Sequence, residues 1–277
     1  MKTVFLGRQH YRSTLALQEA IFALKSSRRK LARGAKPAGS GENADSAAPL
    51  PPVPDTLLLV EHAASIYTMG KRDTSGGIRD EAVDVVKIRR GGGLTWHGPG
   101  QLTMYPIVDV MRAFNNCQLP VEKKGKSPLR WYTEVLENTM IATAAEFGVK
   151  AHPGLVGVWV DQDAVDAKGQ PEVKKIGSIG LQVSDWVSMH GVGFNVCNDL
   201  SLFNPIVMCE LPDKAPTSLQ VEIARLTTAA SSPNPNLAMA NVAGKMARNF
   251  VAALQPKEAI QLDWMTDESY LRRHVLQ

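Results

Sequence analysis

Residues 89–101 of this chain read RRGGGLTWHGPGQ, with five glycines among the ten residues 91–100. Strand-like runs lie on both sides, VVKIRR at 85–90 and QLTMYPIVDV at 101–110. A glycine-dense loop between two strands lets backbone N–H groups approach a ligand with no Cβ in the way. Arg90, Thr95 and His97 would supply donors around it. The pattern is neither GxxxxGK[ST] nor a strand-to-helix GxGxxG, so a P-loop and a dinucleotide fingerprint are both unsupported.

The 277 residues around this loop are long enough to bury a sizeable core. Hydrophobic residues make up 44% and charged residues 21%, ordinary globular usage that argues against global disorder and fibrous repeats. No apolar run approaches the roughly 18–20 residues of a membrane span. A net charge of +4 is too mild to indicate nucleic-acid binding. Residues 26–55 contain five prolines, three glycines, four serines and six alanines, and too few large aliphatics to offset the entropy of ordering them. They are expected to form a flexible insertion decorating a single domain spanning 1–277. The rest of the chain alternates. LLLVEH at 57–62 reads as a buried strand, and apolar residues from Leu129 to Phe147 recur at helical spacing before Gly148. VGVWVD at 156–161 reads as a strand, and the runs before and after Ser184-Asp185 read as a hairpin. Leu237 to Leu254 marks another amphipathic helix. The expected class is α/β or α+β with a mixed sheet.

Two further features carry candidate chemistry. KIGSIG begins at Lys175 and HGVGFNV begins at His190. Lone lysines and histidines are mostly solvated or structural. Three cysteines, Cys117, Cys197 and Cys209, form no CxxC pair, so a disulfide scaffold or zinc site is not indicated and a reducing compartment fits. Spacing alone does not choose among the three.

Taken together, RGGGLTWHGPGQ, KIGSIGLQV, HGVGFNV and the aliphatic run ending at Cys209 resemble the lipoyl(octanoyl) transferases, the protein octanoyltransferases of lipoate assembly. Their order matches, as does the 34-residue separation of Lys175 from Cys209. LLLVEH, IYTMGKR, VGVWV and PTSLQ add support. The resemblance implies a biotin/lipoate protein ligase-like α/β domain. It implies that Cys209 attacks the thioester of octanoyl-acyl carrier protein and holds the acyl group, with Lys175 lowering the thiol pKa and shuttling protons. The acceptors would be lysines on lipoyl domains of 2-oxoacid dehydrogenase E2 subunits and on the glycine cleavage H protein. By motif match, Arg90, Gly91, Gly92, Gly93, Leu94, Thr95, Trp96, His97, Gly177, Ser178, Ile179, His190, Gly191 and Val192 would line the acyl pocket and the thioester oxygen. Backbone N–H groups from these glycine-rich turns would act as oxyanion donors. No metal, cofactor, nucleotide, nucleic acid or membrane is implied, and the family is commonly monomeric.

There are departures. Met208-Cys209-Glu210 replaces the family's Pro-Cys-Gly, and a carboxylate beside the nucleophile tends to raise its pKa. Gly193 and Phe194 stand where alanine and leucine are common. The long insertion has a fungal look, and relatives of that kind work in mitochondria, whereas bacterial members are cytoplasmic. An ATP-dependent lipoate–protein ligase of the same fold is one alternative. A catalytically weak paralogue that binds lipoyl domains is the other.

Overall fold

Period-2 runs rich in valine, leucine and isoleucine give this chain most of its framework, and amphipathic helices cover it. The computed structural model describes residues 1–34, 53–72, 75–80, 82, 84–118, 127–155, 157–165, 169, 171–208, 211–227, 237–265 and 269. Strand β1 (Lys2–Gln9) leads into helix α1 (Tyr11–Gly34). Strands β2 (Thr56–His62), β3 (Ile66–Met69), β4 (Val85–Lys87), β5 (Leu94–His97) and β6 (Gln101–Ile107) follow. After the short α2 (Val110–Asn115) come α3 (Pro128–Ala145), β7 (His152–Gly154), β8 (Gly157–Val165), β9 (Pro171–Ser184) and β10 (Val187–Asn195). The chain continues through β11 (Ala215–Pro216), α4 (Leu219–Thr227), α5 (Met239–Leu254) and β12 (Asp263–Met265).

The large sheet runs β12-β1-β2-β6-β10-β9-β8-β7, with β11 pairing β9; a small sheet runs β4-β3-β5. β1 pairs in parallel with β2 and β12, whereas β2–β6, β6–β10, β10–β9 and β9–β8 are antiparallel, so the sheet is mixed as expected. Every residue of β2 is buried. Alternation sends Leu57 and Leu59 into a core with α3 and α5, and Leu58 and Val60 into a second core with Leu17 and Ile21 of α1. β9 and β10 form the expected hairpin. Its two turn residues, Asp185 and Trp186, have φ of 50° and 64°, the positive pair a tight I′-type connection needs.

Two expectations change. Residues 26–34, taken as the start of the flexible segment, are helical. Their basic side chains find carboxylates: Arg29 pairs with Asp109, and Lys30 Nζ lies 3.0 Å from Asp185. At the other end, Lys25 Nζ reaches Val53 O at 2.6 Å and Asp55 at 2.8 Å. Composition missed this because ion pairs, not aliphatic burial, anchor the helix end. Residues 35–52 of that segment lie outside the described residues. The second change is inside the glycine run. Leu94–His97 is a strand of the small sheet, pairing Thr95 with Thr68.

Candidate active site

Where the small sheet meets β6, β9, β10 and the start of α1, a pocket opens. It is lined by Arg90, Gly92, Gly93, Thr95, His97, Ser178, Ile179, His190, Gly191 and Val192, ten of the fourteen residues expected to bind substrate. Tyr11, Arg72, Ile88, Thr103, Tyr105, Gly180 and Gly193 complete the lining. Sequence reasoning missed these seven. Tyr11 had no signal, because helix α1 comes from the far N-terminus; Gly180 and Gly193 sit inside the quoted motifs.

Four expected residues are elsewhere. Strand alternation turns Leu94 and Trp96 away from the pocket into a core with Phe203, Ile206 and Met208. Gly91 donates its N–H to Leu181 O at 2.7 Å and does not line the pocket. Gly177 sits against Met140 and Phe194, on the core side of β9. Gly177, Ser178 and Ile179 lie in β9, and His190, Gly191 and Val192 in β10; the two strands are paired with each other, so these segments are not turns. Backbone N–H groups inside a sheet point along the ladder towards neighbouring strands, which removes them as a general source of oxyanion donors.

His190 breaks the strand pattern. Phe194 joins the α3/α5 core and stays off the pocket, and regular alternation would send His190 to the same side. Its φ of 59° is left-handed, uncommon for a non-glycine residue, and His190 lines the pocket instead. Its N–H is taken up by Gln18 Oε1 of α1 at 3.2 Å.

Arg90 is buried, and its guanidinium is held by the fold. Nη2 donates to Thr68 O and Thr68 Oγ1, both at 2.9 Å, and Nη1 to Gly91 O at 3.0 Å. Its Cδ passes 2.6 Å from where a Cβ on Gly180 would stand, so the arginine stem crosses the hairpin only over glycine. Arg90 thus clamps the glycine loop to the small sheet.

Around it gather three buried imidazoles. Burial pushes His97 down to about 3, helped by His62 and the Arg90 charge, and pushes His62 and His190 each down to about 4. All three are neutral at pH 7. His62 Nε2 lies 2.8 Å from the Tyr105 hydroxyl, and the Tyr11 ring stacks on His97 at 6.5 Å. Burial also pushes Tyr11 up to about 12.

Lys175 does not line this pocket. It is 1% exposed on β9, beside a bulge where Val158 and Trp159 oppose Gly177 and Lys175. Its Nζ lies 5.1 Å from the Trp159 ring centroid and has no hydrogen-bond partner among the described residues. The end of its stem comes within 2.8 Å of a Cβ built on Gly157, so only glycine leaves it this path. Cys209 and Glu210 lie outside the described residues. Met208, on one side of them, is buried; on the other, Pro216 pairs with Lys175 in β11. Of the other two cysteines, Cys117 is buried in the α3/α5 core and Cys197 is exposed.

This architecture is that of the lipoate-ligase class. The structure of lipoate-protein ligase A bound with ATP matches at a TM-score of 0.54 and 14% identity, over 99% of this chain and 93% of that one. A bi-partite lipoate protein ligase from T. acidophilum matches at 0.51 and 12%, over 99% and 91%. At such identities the likeness shows the fold alone. Residues 44–251 match the family described as the lipoyl protein ligase A/B catalytic domain. An octanoyltransferase of Geobacter sulfurreducens is 35% identical over 94% of this chain and 90% of its own length; that of Synechococcus elongatus is 36% identical over 76% and 80%. The chain belongs to the lipoyl(octanoyl) transferase family and is an acyltransferase.

Proposed function

We propose that this chain transfers an octanoyl group from octanoyl-acyl carrier protein to the ε-amine of a lysine on a lipoyl domain or H protein. The transfer runs through a thioester on Cys209. The observation that carries the reading is Lys175. A fully buried lysine nitrogen with no hydrogen-bond partner among the described residues is costly to leave unmatched, and a cysteine sulfur is the partner this chemistry needs. Lys175 then takes the thiol proton as the sulfur attacks the donor thioester and passes it to the departing carrier sulfur. In the second half-reaction it relays the proton displaced from the amine to the cysteine sulfur. Of the glycine loop, Gly92 and Gly93 remain as candidate oxyanion donors, since they line the pocket. The acidic carrier and lipoyl domains would meet a mildly basic chain, and the reading keeps a monomer in mitochondria, testable by sedimentation and by fractionation.

Intact-protein mass spectrometry after incubation with octanoyl-acyl carrier protein tests the mechanism. A hydroxylamine-labile adduct should form without ATP, vanish in Cys209→Ala, and form about a hundredfold more slowly in Lys175→Met. An ATP requirement, or no adduct on the wild-type protein, would sink it.

A further inference from the structure

A chain of buried amides fixes the direction of the hydrogen bond at His97 Nδ1. Asn195 Nδ2 donates to Thr217 O at 2.9 Å, and a carbonyl can only accept. Asn195 therefore turns its Oδ1 towards Gln101, whose Nε2 donates to it at 2.9 Å. A second carbonyl agrees, since the same Nε2 lies 3.3 Å from Trp96 O. Gln101 is left to present Oε1 to His97 Nδ1, 2.7 Å away, and an amide oxygen cannot donate. Nδ1 must then carry the proton. In a neutral imidazole the other nitrogen, Nε2, is a bare lone pair. The far end of the chain is tied to the strand of Lys175, because Thr217 N donates to Lys175 O at 2.8 Å.

From its sequence His97 is expected among the donors around the glycine loop. The network assigns it the opposite polarity, and two acceptors do not bond. We infer that His97 is a fixed hydrogen-bond acceptor which receives an N–H of the substrate, the ε-amine of the incoming lysine, during the second half-reaction. This rests on the transfer reading above. The amine lone pair attacks the thioester carbon; the N–C bond forms, the C–S bond breaks, and the displaced proton ends on the Cys209 sulfur. His97 orients the amine through a remaining N–H and keeps no proton. Its surroundings agree: Arg90, His62 and His190 all oppose a positive charge on the ring, and Tyr11 stacks against it. The same lone pair would also suit an amide N–H of the carrier's pantetheine arm, and the two half-reactions separate these sources.

The first test needs no turnover. Long-range ¹H–¹⁵N NMR of ¹⁵N-histidine-labelled protein at neutral pH, with His97→Phe assigning the signal, should show Nδ1 protonated and Nε2 bare. An Nε2–H tautomer in the wild-type protein overturns the inference. The second test is kinetic. In Gln101→Glu a carboxylate faces Nδ1, raises the proton affinity of the ring and turns Nε2 into a donor. In that variant and in His97→Phe, acyl transfer to the lipoyl domain should fall about ten- to hundredfold more than acyl-enzyme formation does. A loss concentrated in acyl-enzyme formation assigns the N–H to the pantetheine arm. Equal rates in wild type and variants for both half-reactions overturn the inference. If the wild-type protein forms no acyl-enzyme, the transfer reading fails while the NMR result still decides the polarity of His97.

Discussion

Along β6, Leu102 and Met104 enter the aliphatic core under α3 and α5, while Thr103 and Tyr105, one residue out of phase, look towards the pocket and α1. The same division runs through β10, where Phe194 packs into that core and Gly191 and Gly193 border the pocket. One face of the sheet is built from groups whose removal from water is favourable at any pH. The other face, with the small sheet set against it, borders His62, His97 and His190, three groups kept neutral against their ordinary tendency. The apolar face stabilises the fold, and part of that stability offsets the cost of a polar pocket set for hydrogen bonding. Perturbations should therefore separate by face.

Acid is the largest. Each of the three histidines has a folded pKa below its ordinary 6.5, so the unfolded chain binds protons first as the pH drops. Their contribution is complete above about pH 6.5 and is lost as pH falls towards 4 for His62 and His190 and towards 3 for His97. At pH 5 the loss is about 2 kcal/mol per histidine. Urea midpoints at pH 7 and pH 5 read this out, and the difference should shrink by about a third in His62→Asn. A midpoint that does not move between the two pH values would mean the imidazoles are not held neutral.

Next in size is the apolar face itself. Phe250 of α5 is fully buried in that core. Phe250→Ala should cost about 3–5 kcal/mol, with transfer activity per folded molecule unchanged. A selective loss of activity at equal folded fraction would show that the two faces are not independent.

Smaller again is Gly180→Ala. The added Cβ would stand 2.6 Å from Arg90 Cδ and 3.3 Å from Gly91 O, so the Arg90 clamp must give. About 1–3 kcal/mol should be lost by overpacking, together with the seating of the glycine loop. Wild-type stability and activity in this variant would show that the arginine stem can reroute.

The division between faces also explains what could be read from the sequence. Period and hydrophobicity are local signals, and they located β2, β6, the β9–β10 hairpin, α3 and α5. The motifs around Arg90, Lys175 and His190 could be recognised because their residue types are unusual at close spacing. Three things were hidden. The ion pairs holding residues 26–34 join segments far apart in sequence, such as Arg29 with Asp109. Side-chain direction inside the glycine run depends on Leu94–His97 being a strand, which separates Thr95 and His97 from Leu94 and Trp96. Hydrogen-bond polarity at His97 depends on Asn195 and Thr217, which lie 98 and 120 residues later in the chain. Nothing in a one-dimensional pattern carries that.

His190 gives the finest test of the comparison, because a single backbone angle places it on the polar face. At φ of 59° an L side chain crowds its own backbone, at a cost of about 1 kcal/mol that glycine avoids. In an ordinary strand position alanine is the more stable of the two. Here the order should invert, with His190→Gly more stable than His190→Ala by about 1 kcal/mol and both lacking the imidazole. Denaturant midpoints of the two variants measure the difference directly. If alanine equals or exceeds glycine, the backbone relaxes to a regular strand once the ring is gone. The left-handed turn would then be held by the imidazole in the pocket, and not by the bond from His190 N–H to Gln18 that survives in both variants.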